Sequence, residues 1–130
     1  MRFSVLVLGA PFSSQSAYSA YRFSYAALDS GHHIHRIFFY QDGVHNSSAL
    51  ATPPQDEFDL YHAWQELQSN HALDLVTCIA AAARRGILNT AEAQRHNREH
   101  GNMAPQFELS GLGQLVEAIA TSDRLITFGN

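Results

Sequence analysis

The stretch "LDLVTCIAAAARRG", residues 73 to 86, holds the only cysteine of the chain, Cys78. A thiol becomes a nucleophile or a group carrier when it ionises, because the thiolate is the reactive form. It serves equally well as a small apolar core residue, since free cysteine is among the most buried residue types. With no partner it forms no internal disulfide, no zinc pair and no redox couple. No other nucleophile of equal quality is present: there is no G-x-S-x-G elbow and no glycine-rich phosphate loop of Walker type. The turn "GAPFSSQ" at residues 9 to 15 is placed to cup an anion, but it lacks G-x-G-x-x-G, and starting a helix is its simpler use. "SGLGQ" at residues 110 to 114 reads the same way.

Eight histidines raise the question of a metal. The cluster "HHIH" at residues 32 to 35 lies at the entrance of a strand, with no carboxylate or cysteine at ligand spacing. His96 and His100 are four apart and would share one helix face, yet Arg95 and Arg98 beside them repel a cation. They are expected to face solvent. No metal site and no cofactor site is expected.

Composition narrows the function classes. The 130 residues are 45% hydrophobic and 15% charged, enough for one core, and the chain reads as a single domain over 1–130. There is no lysine; the eight basic residues are arginines scattered from Arg2 to Arg124, and the formal net charge is −4. No basic stripe forms, so direct nucleic-acid binding is not expected. The apolar run after Arg2 ends at Gly9, too short for a secretory leader, and no stretch approaches the roughly 18 to 20 apolar residues of a membrane span. A lone thiol points to a reducing compartment, so a cytoplasmic protein without membrane contact is expected.

The elements that position these residues alternate strand and helix. "FSVLVL" is a short apolar run ending at "GAP" and predicts a buried parallel strand over 3–9. A helix over 15–29 follows, with serines to cap it and Gly31 to stop it. "HIHRIFFY" is a second strand. A polar loop over 41–57 is longer than a mere connector needs. "EFDLYHAWQELQSNH" is a helix with Phe58, Tyr61, Trp64 and Leu67 at spacings of three. "LDLVTCIA" is the third strand, passing into helix near residue 79. A short exposed helix begins after Asn89 or Thr90, with Glu92 completing the cap. "FELS" is a connector or short strand, residues 111–121 are a helix with Leu112, Leu115, Val116 and Ile119 inward, and 124–128 is a last strand. The fold class is therefore α/β: a three-layer sandwich, a mostly parallel sheet of about five strands with helices on both faces.

In such sheets ligands and reactive groups collect beyond the carboxyl ends of the strands, where neighbouring connections leave to opposite faces. Cys78 falls at such an end. A helix beginning beside it would offer unpaired N–H groups and the positive end of a dipole, both favouring the thiolate. A reachable, activated sulfur is the functional expectation there, and a small buried core residue is the alternative that position alone does not overturn.

The segments "MRFSVLVLGAP", "FFYQDGVHNSSAL", "PQDEFDLYHAWQEL", "CIAAAARRGI" and "FELSGLGQLVEA" together resemble the TusD/DsrE family of small α/β sulfurtransferase subunits, almost end to end. The resemblance implies that Cys78 carries sulfane sulfur as a persulfide and relays it to a cysteine of a TusE/DsrC-type acceptor. It implies assembly with two related small subunits, DsrF and DsrH or TusC and TusB, in an α2β2γ2 heterohexamer. Persulfide exchange needs only reachable cysteines, which is consistent with a chain lacking an acid–base pair or cofactor motif. The DsrE branch, in dissimilatory sulfur oxidation, is the reading taken; a TusD-type relay for transfer-RNA wobble-uridine 2-thiolation is its alternative. A non-catalytic scaffold, and a nucleotide-binding module of flavodoxin-like shape using "GAPFSSQ", are the alternatives of another class. Ser13, Tyr40 and Asp42 would shape a pocket. Tyr18, Tyr21 and Tyr25, with the loop over 41–57, offer surface for a neighbouring subunit.

Overall fold

The structure, a computed structural model, describes residues 1–129. Five strands, β1 (Arg2–Val7), β2 (His33–Phe39), β3 (Leu75–Cys78), β4 (Phe107–Ser110) and β5 (Arg124–Phe128), form one sheet in the order β4-β3-β2-β1-β5. Every neighbouring pair is parallel. The mostly parallel sheet expected from the alternation of elements is thus wholly parallel.

The side-chain period of two divides each strand between two cores. Val5, Val7, Ile37, Phe39 and Leu75 turn to the face covered by α1 (Gln15–Asp29) and α2 (Leu60–His71), which contribute Ala17, Ala20, Leu60, Trp64 and Leu67. Phe38, Val76 and Cys78 turn to the other face, under α3 (Ile79–Arg84) with Ala81 and Ala82; Leu115 of α5 (Gly113–Thr121) packs against the same cluster. Helices therefore lie on both faces. Burying a side chain such as Trp64 or Phe39, each fully enclosed, contributes about 1.5–3 kcal/mol.

Local chemistry sets the helix ends. Ser14 caps α1 by accepting from the Ser16 N–H, and Asp59 caps α2 by accepting from the His62 N–H. Asn89 caps α4 (Thr90–Arg95) by accepting from the Glu92 N–H. α4 is less exposed than its polar sequence implies, for Glu92 and Ala93 are both buried. It also stops at Arg95, so His96 and His100 share no helix face, although both are exposed as expected.

Two further expectations are corrected. The segment after β2 is not an open loop throughout: Gln41–Ser47 forms a 3-10 helix with Gly43, Val44, Asn46 and Ser47 buried. On α5, Ala118 is the buried residue, while Val116 and Ile119 are 65% and 51% exposed, and Leu112 at the N-cap is 45% exposed. A charged clamp holds this helix instead. Arg36 on β2 donates to Asp74 at 2.7 Å, to Glu117 at 2.6 Å and to the Gln114 carbonyl at 2.9 Å. His35 meets the same Glu117 at 2.9 Å, and the Thr121 hydroxyl donates to it at 2.8 Å. These bonds, that of His35 foremost and those of Thr121 and Arg36 after it, hold the Glu117 carboxyl down at about 2.

Candidate functional site

Cys78 is the last residue of β3 and the N-cap of α3, so the chain passes from strand to helix with no intervening loop. α2, which precedes β3, packs on one face of the sheet, and α3, which follows it, packs on the other. The sulfur thus stands at a carboxyl strand end where neighbouring connections diverge, as the sequence reading placed it.

Its accessibility differs from that reading. Cys78 is 4% exposed and belongs to the cluster of Phe38, Val44, Val76, Ala81, Ala82 and Ile87. The cause is the alternation of β3, which turns Cys78 to the same face as Val76, combined with a helix that folds straight back over that face. The thiol makes no capping hydrogen bond, and α3 is only six residues long, so its dipole is small.

The 3-10 segment Gln41–Ser47 ties the neighbouring strand ends together. A Cβ on Gly43 would fall 2.1 Å from the Val7 carbonyl oxygen, so the approach of this segment to β1 requires glycine. Asn46, fully buried, donates through Nδ2 to the carbonyls of Gly43 at 2.9 Å and Gly9 at 3.2 Å, and its Oδ1 accepts from Trp64 Nε1 at 3.0 Å. The Ser47 hydroxyl donates to the Val44 carbonyl at 2.6 Å. At the start of the segment, Asp42 accepts from Arg85 Nε at 2.8 Å, and Arg85 also donates to the Ala81 carbonyl at 3.2 Å. Segment and α3 are joined at that point. Neither Asn46 nor Arg85 was singled out in the sequence; a tryptophan whose N–H must find a buried acceptor was the available signal for the first.

Of the residues expected to shape a pocket, Ser13 and Asp42 do line a hollow of about 450 Å³, with Ala10, Pro11, His45 and Tyr61. Tyr40 does not; it packs against the cluster that holds Cys78. A second hollow of about 350 Å³ lies on the Phe12 side of the same turn, lined by Phe12, Tyr18, Phe58 and Leu60 among others. Phe12 has φ 66°, a left-handed conformation that directly follows Pro11 and leaves its ring 54% exposed.

The other candidates serve the fold. In "GAPFSSQ" the Ser14 and Ser16 hydroxyls bond each other at 2.8 Å, and a Cβ on Gly9 would fall on the Ser16 hydroxyl. The turn spends its polar groups on starting α1. In "HHIH", His35 is engaged by Glu117, and His32 meets the N-terminal amine at 3.1 Å. Among the described residues no three His, Cys, Asp or Glu side chains gather in a metal-holding group. No helix among them is long and apolar enough to cross a membrane.

The profile of the DsrE/DsrF-like family matches residues 1–128. The chain belongs to the DsrE/DsrF-like family. Among its relatives, the chain is 48% identical to the DsrE protein of Allochromatium vinosum over 130 residues, all of both chains. It is 54% identical to the sulfurtransferase TusD homolog of Pseudomonas aeruginosa over 129 residues, covering 99% of this chain and 98% of that one. With the sulfurtransferase TusD of Salmonella newport the identity is 45% over 128 residues, 98% of this chain and all of that one. In structure it matches the ychN protein of E. coli with TM-score 0.77 over 98% of this chain and all of that one, at 21% identity, which shows the shared fold. The DsrE/DsrF-like fold is therefore the frame in which Cys78 stands at the β3–α3 junction.

Proposed function

We propose that the protein is a sulfurtransferase subunit in which Cys78 carries sulfane sulfur as a persulfide. The observation that carries the reading is the position of the chain's single cysteine at a carboxyl strand end, in a chain whose full-length relatives include proteins named sulfurtransferase. In loading, the Cys78 thiolate attacks the sulfane sulfur of a donor persulfide, a new S–S bond forms, and the donor thiolate leaves. In unloading, an acceptor thiolate attacks that outer sulfur, the S–S bond to Cys78 breaks, and Cys78 departs as thiolate. No net oxidant or reductant is consumed.

The acceptor is of the TusE/DsrC type, a small protein presenting its own cysteine. The same exchange serves dissimilatory sulfur oxidation, the direction taken above, and transfer-RNA 2-thiolation; the acceptor's onward partner decides between them. A reducing cytoplasm keeps the thiol available between turnovers. Assembly with two related small subunits into an α2β2γ2 heterohexamer is supported by the apolar stripe of Leu112, Val116 and Ile119, which the isolated chain leaves in water.

The scaffold reading, in which Cys78 is only a core residue, draws on its 4% exposure. One experiment separates the two. The protein is incubated with a sulfane-sulfur donor, digested and weighed. The carrier reading expects a gain of one sulfur mass on the Cys78 peptide, reversed by reductant, and no transfer to acceptor from Cys78→Ala. An unmodified Cys78 peptide, or undiminished transfer by the variant, overturns it.

A further inference from the structure

We propose that the Asp42–Arg85 ion pair is a clasp that holds α3 closed over Cys78 and sets how often the sulfur is reached from solvent. The inference rests on the carrier reading for its purpose, while access itself is measurable without any sulfur donor. In-line attack on a sulfur needs open approach along the breaking bond, and a side chain 4% exposed has none. Something that encloses Cys78 must move.

The enclosing groups differ in how firmly they are held. Phe38 and Val76 belong to paired strands inside the five-stranded sheet. Val44 belongs to the 3-10 segment, whose far half is tied by the buried bonds of Asn46 and Ser47. α3 is the loosest. It spans six residues, fewer than a helix needs to hold itself, and it meets the second core through the methyl groups of Ala81 and Ala82. Two alanines bury little area, so most of the apolar energy that resists its lifting comes from Ile87, just past the helix in the same cluster. At its carboxyl end Arg85 reaches both the Ala81 carbonyl and Asp42, fastening the helix to the anchored segment. At its amino end stands Cys78 itself. Behind the carboxyl end Ile87 is buried in the same cluster and Asn102 donates to the Gly86 carbonyl at 2.8 Å, so the ion pair is the exposed part of the fastening. A helix hinged at the sulfur uncovers it more often when that part lets go. The adjacent Arg84 is exposed and makes no ion pair among the described residues, so it offers a matched control.

Because Cys78 is the only cysteine, the rate of iodoacetamide labelling of the whole protein reads this one site. Asp42→Asn and Arg85→Gln should each label about threefold faster than wild type, the scale an exposed ion pair commands. The double variant should label no faster than either single, and Arg84→Gln should match wild type. Asp42→Arg combined with Arg85→Asp should return the rate towards wild type. Melting temperatures should not follow the labelling rates. If a variant fails to fold, the wild type alone carries the test: salt at about 1 M screens the pair and should quicken its labelling. Unchanged rates in Asp42→Asn and Arg85→Gln, an equal rise in Arg84→Gln, or a rise that tracks loss of global stability would overturn the clasp. A Cys78 that labels as described yet never gains sulfur would overturn the carrier reading and leave the clasp standing.

Discussion

Thr77 and Cys78 are consecutive residues of β3 that turn to opposite faces of the sheet, and both are shut away from water. Cys78 joins an apolar cluster suited to a sulfur atom. Thr77 is worse placed: its hydroxyl is buried and has no hydrogen-bond partner among the described residues. A buried hydroxyl left unpaired costs about 1–3 kcal/mol, whereas valine has the same shape and no polar atom. Thr77→Val should therefore raise stability by about 1 kcal/mol and move the urea midpoint upward. A midpoint that falls would show that the hydroxyl is partnered in solution.

Replacing the sulfur has two costs that must be kept apart. Cys78→Ser buries a hydroxyl among Phe38, Val44 and Val76, at about 1–3 kcal/mol, so lost transfer in that variant would mix chemistry with stability. Cys78→Ala removes the sulfur and adds no polar atom. It should unfold at a urea midpoint above that of the serine variant while transferring no sulfur. Sulfur transfer by the alanine variant at the wild-type rate would remove Cys78 from the reaction.

The Glu117 carboxyl, lowered from an ordinary 4.5 to about 2 by His35, Thr121 and Arg36, makes stability depend on pH in one direction. Across this window the unfolded chain binds the proton and the folded chain does not, so folding is favoured as pH rises. The contribution is fully present above about pH 4.5 and is lost as pH falls towards 2. Urea midpoints taken from pH 5 to pH 2, roughly that titration range, should fall less steeply for Glu117→Gln than for wild type. Parallel curves would mean that the clamp contributes nothing to acid sensitivity.

Legibility from sequence followed the kind of force at work. α1 over Gln15–Asp29 and β5 over Arg124–Phe128 have the bounds expected of them, because a serine cap and short apolar runs are local signals. β1 ends at Val7 rather than Gly9. The 3-10 helix Gln41–Ser47 was unreadable, since "QDGVHNS" is polar and its burial depends on Asn46 finding Gly9 and Trp64, contacts far apart in the chain. The position of Cys78 at the end of β3 was legible; its enclosure was not, because a strand buried on both faces gives no alternation from which to read what covers each side. The α5 pattern announced a helix, but periodicity says which residues share a face and nothing about what covers that face.

That last point yields a prediction about assembly. Val116 and Ile119 on α5 and Leu112 at its N-cap stand at helical spacing, each about half exposed or more, while Arg36 and His35 hold the helix through Glu117. An apolar stripe left in water by a chain that folds around two other cores is surface available for a partner. Val116→Glu should cost the isolated protein less than about 0.5 kcal/mol, the usual range for exposed positions. Co-expressed with the two related small subunits, however, it should place a charge inside a contact that had none, and a desolvated unpaired carboxylate is among the costliest changes an interface meets. Size-exclusion chromatography should then show the variant eluting as free subunit where the wild type co-elutes with its partners. Glu117→Gln serves as a control for loosening of the helix itself. Should Val116→Glu assemble as the wild type does, the stripe lies outside the contact, and the aromatic surface of Tyr25, Phe12 and Phe58, likewise about half exposed, becomes the face to probe.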